Sequence, residues 1–321
     1  MPNHLSRRAF LSQTGTVAAL AVANPPAWGR PDNSRTRPLR LGGPIFLKSD
    51  DPAELAQEHR RLGYRAAYAP QVEIKDTDRI QAIIKEFAAR DVALAEVGAW
   101  RNMLDVDVEK RRQNLAYVQE RLALAEMLGT RCCVDIAGSF NPHSWCGPDP
   151  KNITEEFIAA TVENCRHVID AVKPTRTKFS IEMMPFNFPT GPDDYLKLIK
   201  GVDRKGFGVH LDACNVMNSP ERMYNNGAVI DECFRKLGPW IVSCHAKDLS
   251  WEDYVQVSLR EVIPGRGQLD YHAYLRGLSG LPIDAPLMLE HLKTAEEYEE
   301  GRHYIQKVAR EMGLSFGAEG A

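Results

Sequence analysis

The sequence contains no CxxC pair, and its cysteines number seven, so it spells out neither a structural zinc cage nor a closed disulfide framework. Cys132, Cys133, Cys214 and Cys244 fall on predicted strands and Cys165 and Cys233 on predicted helices; these read as buried free thiols, with Cys146 in a loop. No glycine-rich turn follows the first apolar run, where a doubly wound nucleotide-binding sheet carries its phosphate fingerprint. Charge of one sign is also missing. Forty Lys and Arg stand against 43 Asp and Glu, for a net charge of -3, which leaves no basic footprint for a nucleic acid. Beyond the first 23 residues no apolar run is long enough to span a bilayer, and there is neither an internal repeat nor a low-complexity segment. What remains is a chain of 321 residues, 44% hydrophobic, long enough for one large core and suited to a small-molecule partner.

The first residues stand apart. Ser6-Arg7-Arg8-Ala9-Phe10-Leu11 is a twin-arginine pattern, followed by the small, apolar run Thr16 to Ala23. Ala21-Val22-Ala23 offers a small-x-small cleavage site and Ala27 a second. The segment resembles a Tat export signal. Residues 1–27 are therefore expected to be the signal, 28–38 a Pro- and Arg-rich linker, 39–314 the folded body and 315–321 a C-terminal tail. The expected location is periplasmic or otherwise extracytoplasmic, with no membrane attachment once the signal is removed.

From Leu39 onward a short apolar run is followed by an amphipathic helix, eight times. Runs at 39–47, 65–70, 93–100 and 132–138 precede predicted helices. The first is announced by Asp51-Pro52-Ala53-Glu54, an N-cap with Pro at the first helical position and an acid two residues on. The third carries Leu115, Val118, Leu122 and Ala125 on one face and stops at Gly129. Four further runs, beginning at Phe179, Phe207, Val242 and Pro286, alternate with helices near 192–202, 228–237, 271–278 and 295–312. Residues 250–267 read as an inserted hairpin. Eight strand-helix units over this length predict a (β/α)8 TIM barrel, with a doubly wound sheet as the alternative.

Each of the last four runs turns chemically capable near its C-terminal end: Glu182, Asp212, His245 and Glu290. A carboxylate in an apolar run is costly unless paired or metal-bound, and in such a barrel the C-terminal strand ends share one mouth. Singly, each acid reads as a helix cap or ion-pair partner, and the lone histidine as a hydrogen-bonded core residue; four adjacent tips outweigh that. Three carboxylates and an imidazole form a mostly hard donor set that suits Mn2+ best, with Mg2+, Co2+ or Zn2+ as alternatives.

The order Glu, Asp, His, Glu on strands five to eight resembles the sugar phosphate isomerase/epimerase superfamily, the xylose isomerase-like TIM barrels. His245-Ala246-Lys247-Asp248 on strand seven and Pro264-Gly265-Arg266-Gly267-Gln268-Leu269-Asp270-Tyr271 after the hairpin add to the resemblance. It covers essentially the whole chain after the signal. That superfamily includes ketose 3-epimerases, hydroxypyruvate isomerases, inosose dehydratases and apurinic endonucleases. The resemblance implies a divalent metal at Glu182, Asp212, His245 and Glu290, with Glu182 and Glu290 also passing a proton next to a sugar carbonyl. The product would be an epimer or an isomer according to where the proton returns.

The rival readings are a lyase that expels a β-substituent from a keto sugar or 3-keto-glycoside, and a non-catalytic sugar-binding protein. Phosphate recognition lacks an Arg/Lys cluster, which favours a non-phosphorylated sugar. Hydrolysis of a nucleic acid needs further metal ligands, and the second and third tips, Tyr68-Ala69-Pro70 and Glu96-Val97-Gly98, supply no histidine. Substrate contacts are expected from Asn215, which matches a polar position of related epimerases, from Lys247 and Asp248, and from Arg266 on the loop. His143 and Trp100 are candidate pocket walls, and His210 lies one layer below Asp212 by period two. His59, His167, His272 and His303 sit on helices and are expected to be solvated, and His291 to be structural. Superfamily members are often dimers or tetramers, so a homo-oligomer is an expectation of the resemblance alone.

Overall fold

A computed structural model of the protein describes residues 37–317; the expected export signal and residues 28–36 of the expected linker lie outside them. Eight parallel strands close into a barrel: β1 (Arg40–Gly42), β2 (Ala66–Tyr68), β3 (Ala93–Gly98), β4 (Cys132–Ile136), β5 (Lys178–Glu182), β6 (Phe207–Asp212), β7 (Ile241–Ala246) and β10 (Pro286–Leu289). Between the last two, β8 (Asp248–Trp251) and β9 (Leu259–Val262) form a separate antiparallel hairpin. The fold is the expected (β/α)8 TIM barrel.

Local signals set the element ends. The Asp51 carboxylate accepts from Ala53 N at 2.8 Å and starts helix α1 (Pro52–Arg61); Pro52 costs nothing there because its missing N–H would have had no partner. Helix α2 (Thr77–Ala89) is followed by α3 (Val108–Leu128), which ends on Gly129 at φ 70°, a left-handed cap that glycine adopts without strain. The first strand is shorter than the run 39–47 predicts. Gly42 lets it approach β2 so closely that a Cβ would sit 2.5 Å from Ala66 O, and Pro44, two residues on, has no N–H to extend a ladder.

Helices α4 (Glu155–Val172), α5 (Pro192–Val202), α8 (Asn226–Leu237), α9 (Tyr271–Ser279) and α10 (Ala295–Glu311) complete the outer layer, with short α6 (Ala213–Val216) and α7 (Pro220–Tyr224) after β6. The main core lies between strands and helices. Two small clusters of strand residues stand apart from it: Ala66, Ala95 and Met288 beside Tyr68, and Cys132, Val134 and Val242 beside Trp100. At the C-terminal end, Leu39 N donates to Ser315 O at 2.8 Å and Phe316 is buried. No described helix is long and apolar enough to cross a membrane.

All seven cysteines are free, and all but Cys146 are buried. Two local expectations are corrected. Cys214 lies on α6 rather than on a strand, because the Asp212 carboxylate accepts from Cys214 N at 2.8 Å and turns β6 into a helical cap. His59 is buried against Phe87, not solvated; its Nδ1 donates to Leu55 O one turn back at 2.8 Å.

Asp135 is a fully buried carboxylate on β4. One oxygen accepts from Arg101 N and Ile136 N at 2.9 Å each, and the other has no partner. Burial pushes its pKa up to about 8, against the pull of those two N–H groups. An acid with a raised folded pKa binds its proton in the folded state where the unfolded chain has lost it, so its contribution to stability falls as pH rises from about 4 to about 8. Asp135→Asn should therefore gain stability relative to the parent by about 1.4 kcal/mol per pH unit across that window. Denaturant unfolding of both proteins at pH 5, 6, 7 and 8 checks this, and a pH-independent difference would refute it.

Candidate metal centre

The barrel register aligns the four strand tips. Asp212 pairs with His245, and His245 with Met288, two residues before Glu290. Glu182 ends β5 one rung away, opposite His210. One donor atom from each of Glu182, Asp212, His245 and Glu290 lies within 4.8 Å of the others. His245 Nδ1 is 3.1 Å from Glu182 Oε1, 2.8 Å from Glu290 Oε1 and 4.0 Å from Asp212 Oδ2.

Lys247, just past the end of β7 and two residues on from His245, brings its ammonium into this cluster. Its Nζ is 2.6 Å from Asp212 Oδ2, 3.0 Å from Glu290 Oε1 and 3.4 Å from Glu261 Oε1, the last reaching in from β9. Asn215 on α6 donates its amide to Glu182 Oε1 at 3.3 Å and accepts from Lys247 Nζ at 3.4 Å.

Crowding of buried charge dominates the electrostatics. Burial raises the Asp212 carboxyl to about 7, with Lys247 opposing and the Glu182 and Glu290 charges adding to the rise. Burial acts in the same direction on Glu182 and Glu290, but the His245 imidazole and the Lys247 ammonium hold both below the usual carboxylate range. His245 and Lys247 hold their protons far more tightly than usual: burial works against the charged forms, and the surrounding carboxylates outweigh it. Asp212 Oδ2 and Glu290 Oε1 are buried and accept no hydrogen bond of acceptable angle, although Lys247 stands at ion-pair distance from both. Orphaned carboxylate oxygens in a three-acid, one-imidazole set are what a divalent cation with oxygen preference fits.

A deeper layer lies beneath this one. Glu96 on β3 is buried, with Oε1 3.1 Å from His210 Nε2 and bonded to the Ser243 hydroxyl, and Oε2 3.1 Å from His245 Nε2. Burial would raise this carboxyl, yet the two imidazoles hold it well below the usual range. His210 thus lies one layer under Asp212, as period two predicts. Glu96 is the residue that a search for histidines at the third tip passes over. Its signal was an acid inside the apolar run 93–98, the same mark that finds Glu182.

The remaining candidates fall around the rim. Arg266 lines a cavity of about 450 Å3 together with Lys247, Arg260, Glu261, Glu290 and His291, where its guanidinium makes a two-pronged pair with Glu300 at 2.6 and 2.7 Å. Asp248 is turned away from the cluster. Its carboxylate accepts from the N–H groups of Leu249, Gly265, Gly267 and Leu269 at 2.8 to 3.1 Å, so it shapes the Pro264–Gly267 turn instead of facing the carboxylates. Trp100 packs over Cys132, Val134 and Val242, whereas His143 is exposed on its loop. His291 adopts φ 61°, which swings its ring to Glu261 Oε2 at 2.8 Å and leaves Nε2 3.6 Å from Glu290 Oε2. Tyr68 donates to Leu289 O at 3.3 Å and sets its ring edge toward His245.

No curated protein matches the chain by sequence. Among solved structures, a xylose isomerase-like TIM barrel protein from Mycobacterium smegmatis in complex with magnesium is 19% identical, covering 84% of this chain and 96% of that one at a TM-score of 0.58. D-psicose 3-epimerase from Clostridium cellulolyticum H10, with D-tagatose, is 14% identical over 82% of this chain and 94% of its own, at 0.59. The 3-keto-D-glucoside 4-epimerase from E. coli is 13% identical over 84% and 100%, at 0.58. At these identities the likeness is one of fold. The family model described as xylose isomerase-like TIM barrel matches residues 55–308, and with most of the chain so matched, the protein belongs to that family.

Proposed function

We propose that this protein is a divalent-metal-dependent isomerase or epimerase that moves a proton next to the carbonyl of a non-phosphorylated keto sugar. The observation that carries the reading is the pair Glu182 and Glu290, which approach His245 Nδ1 at 3.1 and 2.8 Å within a cluster holding the unbonded oxygens Asp212 Oδ2 and Glu290 Oε1. Glu182, Asp212, His245 and Glu290 would hold the metal, with Mn2+ the best match to the donor set and Mg2+, Co2+ or Zn2+ as alternatives. A bound divalent cation supplies Lewis-acid polarisation of the carbonyl.

The chain's own groups do the rest. One of Glu182 and Glu290, kept ionised by its cationic neighbours, takes the proton from carbon, and the other, having first taken up a proton from solvent, gives one back. Return to the opposite face of the same carbon makes an epimer; return to the neighbouring carbon makes an isomer. Lys247 and Asn215 present N–H groups to sugar oxygens beside the carboxylates, and Trp100 and Tyr68 provide aromatic walls for the sugar ring. Lys247 is engaged by Asp212 and Glu290, and Arg266 by Glu300, which favours a neutral sugar over a phosphate ester. Likeness in fold to epimerases named for D-psicose and for a 3-keto-D-glucoside supports this substrate class. The twin-arginine pattern Arg7-Arg8 supports a setting outside the cytoplasm, where free sugars rather than sugar phosphates are met.

Solvent deuterium exchange tests the proposal. Mn2+-loaded protein in D2O, given free ketoses and 3-keto-glycosides, should place deuterium on the carbon beside the carbonyl of an intact product, read by NMR. Deuterium accompanied by a released aglycone or water would assign a lyase instead. No exchange on any substrate, despite bound Mn2+ and measurable sugar binding, would move the assignment to a sugar-binding protein.

A further inference from the structure

The carboxylate of Glu96 is buried inside the barrel beneath the proposed metal centre. Burying a charge there is expensive, and an apolar residue of similar volume would stabilise the core at least as well. Its partners are specific: Oε1 meets His210 Nε2 at 3.1 Å and the Ser243 hydroxyl, and Oε2 meets His245 Nε2 at 3.1 Å. An ionised carboxylate has only lone pairs to offer, so all three groups facing it must be donors. His245 and His210 therefore both carry hydrogen on Nε2.

A neutral imidazole has one N–H, so Nδ1 is then left as a bare lone pair. For His210 that atom has no partner, as a nitrogen without hydrogen tolerates better than one with it. His245 Nδ1 faces Glu290 Oε1 at 2.8 Å, Glu182 Oε1 at 3.1 Å and Asp212 Oδ2 at 4.0 Å. In the metal-free protein a hydrogen on Nδ1 answers these carboxylates; a divalent cation among them would take its place, and the Nδ1 lone pair would then be the ligand while Nε2–H stays on Glu96. The ring is also fixed in place, its edge packed against His210 with centroids 4.1 Å apart.

We infer that Glu96 is a positioning residue for the metal centre: it fixes the tautomer and orientation of His245 from behind, so that Nδ1 is aimed at the cation held by Glu182, Asp212 and Glu290. The inference rests on the metal centre proposed above. His210 and Ser243 take part by occupying Oε1, which leaves Oε2 for His245 alone. An imidazole whose outer N–H is anchored by a carboxylate is a stronger and less mobile ligand than a free one.

Glu96→Gln tests this with two readouts that do not depend on turnover. The amide can present a donor where the carboxylate offered only acceptors, so it no longer dictates the His245 tautomer. Mn2+ affinity, measured by EPR of the free ion, should fall about 10- to 100-fold, while 15N NMR of Mg2+-loaded wild-type protein should show His245 protonated on Nε2 and bare on Nδ1. Affinity of Glu96→Gln within about twofold of wild type, or a loaded wild-type His245 with hydrogen on Nδ1, overturns the inference. Should Glu96→Gln fail to fold, the wild-type spectrum decides alone. Wild-type protein that binds no Mn2+ overturns the centre itself and the inference with it, whereas wild-type binding with an unaffected variant overturns the inference only.

Discussion

Glu182→Gln and Glu290→Gln should each lower kcat on the true substrate by about 100- to 10,000-fold, the range expected when a positioned proton-transfer group is removed. Gln keeps the volume and one acceptor oxygen of Glu, so the contacts to Asn215 and His245 Nδ1 at 3.3 Å and 3.1 Å around Glu182 survive in outline. The charge and the basicity do not. The two variants should differ from each other. Removing the group that takes the proton abolishes both product formation and deuterium exchange into the substrate. Removing the group that returns it blocks product formation but leaves the first carboxylate able to take and restore hydrogen on one face, so the recovered substrate acquires deuterium without turning over. Metal content measured alongside separates this from simple loss of a ligand. Turnover within threefold of the parent in either variant would refute a two-glutamate transfer.

The barrel was legible because its strands are covered on both sides and read as apolar runs, whereas its helices show one apolar face and capped ends. The four strand tips were legible for a different reason: an acid inside an apolar run has a desolvation cost that something must offset. Glu96 bears the same mark, but its partners His210, Ser243 and His245 come from strands more than a hundred residues away, and only barrel closure reveals them. Asp248 was misleading for the opposite reason. It stands next to Lys247 in sequence, yet successive strand residues point to opposite faces, and its carboxylate is occupied by four N–H groups of the 265–269 turn and its neighbour Leu249. Glu261 and His291 were unreadable as a pair because a hairpin return and a left-handed backbone at His291 bring them together. The closeness of Lys247 to two carboxylates depends on a long, flexible side chain whose reach no spacing rule specifies.

That closeness yields the second large expected effect. Lys247→Met keeps the unbranched length of the side chain and deletes the ammonium that stands 2.6 Å from Asp212 Oδ2 and 3.0 Å from Glu290 Oε1. Removing one partner of a buried ion pair leaves charge uncompensated, and the metal-free variant should lose about 3 to 5 kcal/mol of stability. The same two oxygens belong to the proposed metal ligands, so the ammonium and a divalent cation answer the same excess of negative charge. Metal binding to the folded state adds about 2.7 kcal/mol at a hundredfold excess over Kd, and it should add more to the variant, whose carboxylates have lost their ammonium partner. Denaturant unfolding in EDTA and in saturating Mn2+ reads both quantities. The gap between parent and variant should be wide in EDTA and narrow in Mn2+. A gap of the same size in both conditions would show that Lys247 stabilises the barrel by packing alone, and equal stability in EDTA would show that Asp212 and Glu290 do not need its charge.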